Sequence, residues 1–247
     1  MDKILKEFHG HSGSFVFLMQ NEKHRYVLKK GNVERNYERL TSLANIVNVP
    51  KIYKKENEVL EMEYIHGLDM KTYLKFHDTH ELLNFIIDSI DRFSNNFVDK
   101  DYTNTYNETL SWLDSCEEFP FTKNQLIEKL PKILPSSIYH GDMTLENIVY
   151  SMSGKFFFID AVTLKYDSWV FDIAKLRQDL ECKWFLRKET IMLDAKLKNL
   201  QSKILQKYPI ANNDNLLILM LLRVYLHCKK NTLEHEFILN EVKRLWK

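Results

Sequence analysis

Two aspartates and an asparagine stand at the ends of apolar stretches in the middle of the chain. Asp142 follows SIYHG, Asn147 comes five residues later, and Asp160 follows KFFFI. A packed strand can hold a carboxylate at its end in a fixed position, facing a cleft. Carboxylate and amide oxygens are hard ligands of the kind that Mg²⁺ takes in proteins. The three residues together therefore predict a metal and phosphate site. Any one of these short motifs alone could equally well be a polar residue that caps a turn.

The elements that must position these residues are of two kinds. In the first part of the chain, FVFLMQ, RYVLKK and VLEMEYI have the alternation typical of strands. One helix interrupts them, because apolar residues from Val33 to Val47 recur at helical spacing before Pro50. After Gly67 the pattern predicts helices, with one strand pair, SIYHGD and NIVYS, followed by KFFFIDAV. The predicted helices cover residues 69–76, 79–98, 106–116, 123–130, 172–207 with a break, 213–229 and 233–246.

Composition excludes several classes of protein. The 247 residues are enough for one large domain or two lobes, and 45% of them are hydrophobic. The chain has 35 basic and 34 acidic side chains and no Lys/Arg run longer than two, so we expect no nucleic-acid partner. The most apolar stretch, 216–226, is too short for a bilayer and contains Arg223, so we expect no membrane span. Three separated cysteines and a charged N-terminus predict a cytoplasmic protein with reduced thiols.

The order of the polar residues resembles the aminoglycoside phosphotransferase and choline kinase group of the protein-kinase-like superfamily. Its catalytic loop reads HGD, four residues, N, and a strand ending in ID follows; here the match is HGDMTLEN and then FFFID. YDSWVFDIAKL resembles the family segment in which a buried aspartate, here Asp172, opens a helix and steadies the catalytic loop. The resemblance spans Gly10 to about Leu180.

The resemblance implies an α+β class and a bilobal protein-kinase-like fold. A small antiparallel-sheet N-lobe that binds nucleotide and ends in the hinge is expected over residues 1–66. A larger, mostly helical C-lobe with the catalytic loop and acceptor site is expected over residues 67–247.

The family pattern also assigns a nucleotide site to the first part of the chain. Lys29 in RYVLKK matches the strand lysine that contacts nucleotide phosphates. The turn HGHSGS stands where a hairpin covers those phosphates, and its matching residues are Gly10, Ser12 and Gly13. The residues that resemble the back of the adenine pocket and the hinge groups that pair with adenine are Met62, Glu63 and Ile65.

The helix partner of the strand lysine is where the sequence departs from the family. The spacing of the family glutamate falls on Asn36, and Glu34 and Glu38 flank it. Either acid could reach Lys29 if the helix is rotated, and both are also ordinary surface residues of a helix.

The implied chemistry is phosphoryl transfer with ATP and Mg²⁺. Asp160 and Asn147 would hold Mg²⁺ on the nucleotide phosphates, while Lys29 neutralises phosphate oxygens. Asp142 would orient an acceptor hydroxyl and accept its proton late. We expect supporting roles for His140 and Asp172.

The expected acceptor is a small polar metabolite, with a sugar or cell-envelope precursor preferred. DIAKLRQDLECKW offers Asp179, Trp184 and Arg187, groups that suit hydroxyls, a sugar face and an anion, although Trp184 would equally well pack between helices. This segment also resembles kinases of surface-polysaccharide (capsule) synthesis. We expect a monomer or homodimer.

The alternative is a kinase-like protein that acts on a macromolecule. HGDMTLEN also resembles the small atypical protein kinases of the tRNA-modification machinery, but those continue with an aspartate, phenylalanine, glycine triplet. Here Asp160 precedes Ala161 and Val162. This departure and the neutral charge favour the small-molecule kinase.

Overall fold

The computed structural model of the protein describes residues 2–8 and 14–247. The strands in this part of the chain are β1 (Lys3–Phe8), β2 (Phe15–Gln20), β3 (Arg25–Lys30), β4 (Ile52–Glu56), β5 (Val59–Glu63), β6 (Gly67–Asp69), β7 (Val98–Asp101), β8 (Ile133–Ser136), β9 (Ile148–Ser151) and β10 (Phe156–Phe158). The α-helices are α1 (Glu34–Leu43), α2 (Met70–Phe76), α3 (His80–Phe93), α4 (Thr103–Thr109), α5 (Lys123–Lys129), α6 (Trp169–Leu180), α7 (Asp194–Lys207), α8 (Asp214–Tyr225) and α9 (Leu233–Leu245).

The chain separates into two compact units. The first unit contains Met1–Phe76 and Glu146–Leu164, and the second contains His77–Leu145 and Lys165–Lys247. The β9–β10 hairpin therefore groups with the N-terminal sheet although it lies far along the sequence. The lobe boundary predicted after residue 66 stays a prediction.

An antiparallel five-stranded sheet in the order β1-β2-β3-β5-β4 dominates the first unit. The register places Lys29 of β3 opposite Val16 and Leu60, and the next inward position pairs Val27 with Met62. Directly opposed residues project to the same face of a sheet, so these apolar side chains surround the Lys29 stem. The predicted strands FVFLMQ, RYVLKK and VLEME lie in this sheet.

A smaller antiparallel sheet, β10-β9-β6, completes the first unit and carries α2. Tyr73 of α2 packs on Tyr150 and Phe156, with ring centroids 4.9 and 5.1 Å away. Gly67 is required at the start of β6, because a Cβ there would overlap the carbonyl oxygen of Tyr150. The end of the β9–β10 hairpin is thus fixed by aromatic packing.

The second unit is built on helices that pack around α6 and α8. Residues 216–222 of α8 are all buried, as expected for a helix that is apolar on every side. Asn213 caps α8 by accepting N–H groups from Asn215 and Leu216. In the described part of the chain, no helix combines the length and apolarity that a membrane crossing needs.

Two sequence predictions about secondary structure are wrong. SIYHGD is not a strand: β8 ends at Ser136, and the N–H groups that follow go to loop partners, including the Asp172 carboxylate. The helix predicted over 79–98 ends at Phe93, where Asn96 with φ +56° breaks the helical path. The segment is a loop because the N–H groups of His140 and Gly141 bond to a carboxylate and not to a neighbouring strand.

Candidate active site

Lys29 and Asp160 form an ion pair within the first unit. The Lys29 Nζ lies 2.6 Å from Asp160 Oδ1, and the two side chains are 4% and 48% exposed. Lys29 is positioned by β3, whereas Asp160 lies two residues beyond β10 with a left-handed φ of +55°. A buried ammonium needs such a partner, since an unpaired charge in an apolar setting is strongly unfavourable. The structure thus brings together two residues 131 positions apart.

Asn36 of α1 completes this arrangement. Its side chain is buried, and its Nδ2 donates to Asp160 Oδ1 at 3.1 Å and to the Ala161 carbonyl oxygen at 2.8 Å. Neither flanking acid takes this place, because Glu34 pairs with Lys55 and Glu38 is exposed. In the described residues Lys29 therefore has Asp160 as its carboxylate partner, and the helix contributes an amide.

Asn147 lies beside Asp160 through the register of the β9–β10 hairpin. Phe158 pairs with Ile148, and the Ile159 N–H donates to the Asn147 carbonyl oxygen at 2.9 Å. Asn147 therefore stands opposite Ile159, the residue that directly precedes Asp160. An aspartate and an asparagine are oxygen donors that fit Mg²⁺, which commonly takes one or two protein ligands together with phosphate oxygens.

The predicted adenine-pocket residues lie on or after β5. Met62 is buried and opposes Val27, on the same sheet face as Lys29. Glu63 ends β5, and Ile65 follows in irregular chain. The predicted phosphate-covering residues Gly10, Ser12 and Gly13 lie outside the described residues.

Asp142 is surrounded by cationic groups within the second unit. Lys175 Nζ of α6 lies 3.3 Å from Asp142 Oδ1, and the side chains are 7% and 33% exposed. Arg223 of α8 donates to the Gly141 carbonyl oxygen at 3.2 Å. Burial acts to raise the Asp142 pKa, but the positive charges of Lys175 and Arg223 outweigh it and hold the pKa below its usual value. Burial also lowers the pKa of Lys175.

The loop before Asp142 is held by the carboxylate of Asp172. Its two oxygens accept the backbone N–H groups of His140 at 2.5 Å and Gly141 at 2.8 Å. Gly141 has φ +90°, which favours glycine. His140 is fully buried and its Nδ1 lies 3.2 Å from the Asp142 N–H. The supporting roles expected for His140 and Asp172 stay predictions.

Two of the three residues predicted to contact an acceptor, Asp179 and Trp184, are buried, and the predicted acceptor contacts stay a prediction. Asp179 is fully buried, and its carboxylate accepts N–H groups from Leu145 at 2.7 Å and Phe185 at 3.1 Å. Trp184 is 4% exposed and is covered on one side by the Arg187 guanidinium, 4.2 Å from the ring centre. Burial leaves Asp179 and Trp184 no surface for a sugar. Asp179 instead holds the backbone at Leu145 and Phe185, and Trp184 packs internally, the alternative that the sequence left open.

Sequence analysis missed Lys175 and did not connect Arg223 with the site. Both are cations inside strongly apolar helical stretches, FDIAKL and LLILMLLRVYL. A charge in such a stretch needs a buried partner, and this was the available signal. The partner could not be identified, because the contact depends on how α6 and α8 pack against the loop.

Comparison with known proteins establishes the fold. No family model matches the sequence, and neither does any curated protein. A thermostable mutant of aminoglycoside phosphotransferase APH(4)-Ia is similar in structure with a TM-score of 0.63 and 12% identity, covering 99% of this chain and 94% of that one. Plasmodium vivax ethanolamine kinase has a TM-score of 0.59 and 12% identity, covering 99% and 82%. ADP-bound aminoglycoside phosphotransferase APH(2'')-Ib has a TM-score of 0.54 and 15% identity, covering 98% and 92%.

The chain therefore has the fold of this group of small-molecule kinases. The predicted α+β, bilobal protein-kinase-like class is confirmed, with a small antiparallel sheet and a larger helical part.

Proposed function

We propose that this protein is an ATP-dependent phosphotransferase that moves the γ-phosphate to a hydroxyl of a small polar metabolite. The observation that carries this proposal is the Lys29–Asp160 ion pair at 2.6 Å, with Asn147 adjacent through strand register. The shared fold supports it: aminoglycoside phosphotransferase APH(4)-Ia forms ternary complexes with AMP-PNP or ADP and hygromycin B. The three side chains supply an ammonium for phosphate oxygens and oxygen donors for a cation.

On the nucleotide side, Lys29 would be the residue that holds the ATP phosphates. Its ammonium, now paired with the exposed Asp160 carboxylate, would neutralise phosphate oxygens, which carry more negative charge. Asp160 and Asn147 are the residues that would hold Mg²⁺, which when bound neutralises and orients the phosphates. The apolar face formed by Val27, Leu60 and Met62 would keep water from the lysine stem.

On the acceptor side, Asp142 orients the hydroxyl that attacks. Lys175 lies 3.3 Å from Oδ1 of this carboxylate and would hold it in place while the hydroxyl hydrogen-bonds to it. A pKa held below the usual value makes Asp142 a weak base that takes the proton late. Phosphoryl transfer through a loose transition state needs positioning and charge stabilisation more than early proton removal.

We further propose a sugar or cell-envelope precursor as the acceptor. The support is the similarity of DIAKLRQDLECKW to surface-polysaccharide kinases. With Asp179 and Trp184 buried, the guanidinium of Arg223 beside the Gly141 carbonyl is the group best suited to contact an acceptor hydroxyl or anion.

An acceptor screen tests the proposal. ATP consumption with Mg²⁺ is measured over sugars, sugar phosphates, amino alcohols, aminoglycosides and a protein mixture, with nucleotide binding checked by thermal stabilisation. We expect ATP to raise the melting temperature and a carbohydrate to stimulate its consumption. Turnover of an amino alcohol without any carbohydrate would overturn the acceptor class, and transfer to protein alone would overturn the small-molecule assignment. No stabilisation by any nucleoside triphosphate at millimolar concentration would overturn the whole function.

A further inference from the structure

Asn36 uses both hydrogens of its side-chain amide on the segment that carries Asp160. One acceptor is Asp160 Oδ1 at 3.1 Å, and the other is the Ala161 carbonyl oxygen at 2.8 Å. The side chain is 6% exposed, so water does not compete strongly for these donors. An amide NH₂ group can donate twice, whereas a carboxylate accepts only. An aspartate or glutamate at position 36 would place a carboxylate oxygen against two other acceptors, Asp160 Oδ1 and the Ala161 carbonyl oxygen, with no hydrogen to share.

The same turn of α1 also fixes the backbone beyond Asp160. The Thr163 N–H donates to the Arg35 carbonyl oxygen at 3.0 Å, so neighbouring residues of the helix hold both sides of the 160–163 segment. Asp160 has φ +55°, a left-handed conformation that is uncommon outside glycine. Such a conformation persists only where the surroundings determine it strongly. Asn36 thus restrains the backbone direction as well as the carboxylate.

The two carboxylate oxygens of Asp160 differ in their hydrogen-bond partners. Oδ1 accepts from Lys29 and Asn36, while in the described residues no hydrogen-bond donor reaches Oδ2, and the side chain is 48% exposed. When Lys29 turns to a phosphate, Asn36 still holds Oδ1. Oδ2 then keeps its direction for a cation ligand.

We propose that Asn36 is the positioning residue for Asp160. In this nucleotide site, an amide on α1 takes the place of an acidic partner for Lys29. The inference rests on the proposed function insofar as Asp160 binds the cation that accompanies the nucleotide. Asn36 would act through its hydrogen bonds to Asp160 and Ala161, and it is not proposed as a ligand of the nucleotide or the cation.

The test separates cation-dependent from cation-independent binding. Binding of ADP is measured by calorimetry with Mn²⁺ and with EDTA, and bound Mn²⁺ is counted by electron paramagnetic resonance. N36D keeps the size of the side chain and removes the donors; N36A removes the group and serves if N36D does not fold. The control is N48D, because Asn48 also donates its amide to a backbone carbonyl in the first unit, that of Phe156 at 3.0 Å.

We expect N36D and N36A to weaken Mn²⁺-dependent ADP binding about tenfold, as for other groups that orient metal ligands. Binding in EDTA and all binding by N48D should match the unmodified protein. In a D160N background, N36A should cause no further loss of Mn²⁺-dependent binding, since its target is gone.

Three results would overturn the inference. Equal loss with Mn²⁺ and with EDTA would mark Asn36 as a structural residue only. An unchanged Mn²⁺ affinity would show that Asp160 needs no support, and full additivity of N36A with D160N would show that the two act separately. If the unmodified protein binds no nucleotide under either condition, the proposed function falls together with this inference; in the other cases the proposed function stands.

Discussion

The two aspartates on which the proposed chemistry depends are each paired with a buried lysine, but the pairs differ. Lys29 lies 2.6 Å from Asp160 and Lys175 lies 3.3 Å from Asp142. Both lysines are nearly inaccessible, at 4% and 7%, while the carboxylates are 48% and 33% exposed. In the first unit a neutral amide completes the site, whereas in the second unit Arg223 adds another positive charge.

This difference indicates what each carboxylate can do. Asp160 has one cationic partner, so phosphates that take Lys29 leave a carboxylate able to bind a cation. Asp142 has two cations nearby, and Lys175 also donates to Gln178 within the helical core, which fixes it in place. Asp142 therefore stays ionised and oriented. In the proposed mechanism, the Lys29–Asp160 pair exchanges partners and the Lys175–Asp142 pair persists.

Removing the acceptor-side charge should have the largest effect. We expect D142N to lower kcat about 10³-fold, because the variant cannot orient the hydroxyl as an ionised carboxylate does or accept its proton. The measurement is steady-state turnover with the acceptor found by screening. D99N, which alters an exposed aspartate of β7 in the same unit, should retain full activity. A D142N enzyme within tenfold of normal would mean that Asp142 is not the acceptor base.

Asp172, which holds the loop before Asp142, should contribute to the stability of the fold. Asp172 accepts two backbone N–H groups inside the second unit, so D172A leaves buried donors unpaired. We expect a loss of about 3 kcal/mol in unfolding free energy, or roughly 6–12 °C in melting temperature. D88N, at an exposed aspartate of α3 in the same unit, is the control. A shift under about 2 °C would show that the loop does not depend on Asp172.

Removing the exchangeable lysine should affect nucleotide binding alone. K29M is expected to weaken ATP binding about tenfold, the value of one charge-assisted contact. The neighbouring Lys30 is exposed on the same strand, so K30M is a matched control and should bind ATP normally. Equal losses in the two variants would indicate a general charge effect instead of a specific contact. Titration calorimetry distinguishes these outcomes.

The Lys175–Asp142 pair should affect the pH dependence of activity. Asp142 must be ionised, and its pKa is held below its usual value, so activity falls only when the pH drops through that lowered pKa. K175M removes a positive charge and raises the pKa, which moves the acid limb of kcat/KM to higher pH. K175R keeps the charge and should keep the limb near its original position. K183M, at a 46% exposed lysine, should leave the limb unchanged; a profile unaffected by K175M would contradict the pairing.

The sequence predicted the features that depend on local patterns and on fixed spacings along the chain. RYVLKK predicted the strand that carries Lys29, and HGDMTLEN predicted a loop whose support by Asp172 follows from the YDSWVFD segment. Both rest on local patterns and fixed spacings. The fold class followed from the family resemblance that these segments carry.

Contacts that depend on three-dimensional packing could not be predicted in this way. Lys175 contacts Asp142 only because α6 packs against the loop, and SIYHGD has the apolar residues of a strand although N–H groups at its end bond to a carboxylate. Asn36 falls at the position of an acidic residue in the family pattern, and only the geometry shows an amide donating twice to the Asp160 segment. In each case the partner is distant in sequence.

Binding of Mg²⁺ with AMP-PNP to the unmodified protein, D142N and D160N tests the central claim most directly. Calorimetry should show that D142N binds within about threefold of the unmodified protein, because Asp142 serves the acceptor. D160N should bind about tenfold more weakly or worse, since a neutral amide replaces a charged ligand of the cation. Equal affinities for all three proteins, or equal losses in the two variants, would contradict the division of roles between the two lysine–aspartate pairs.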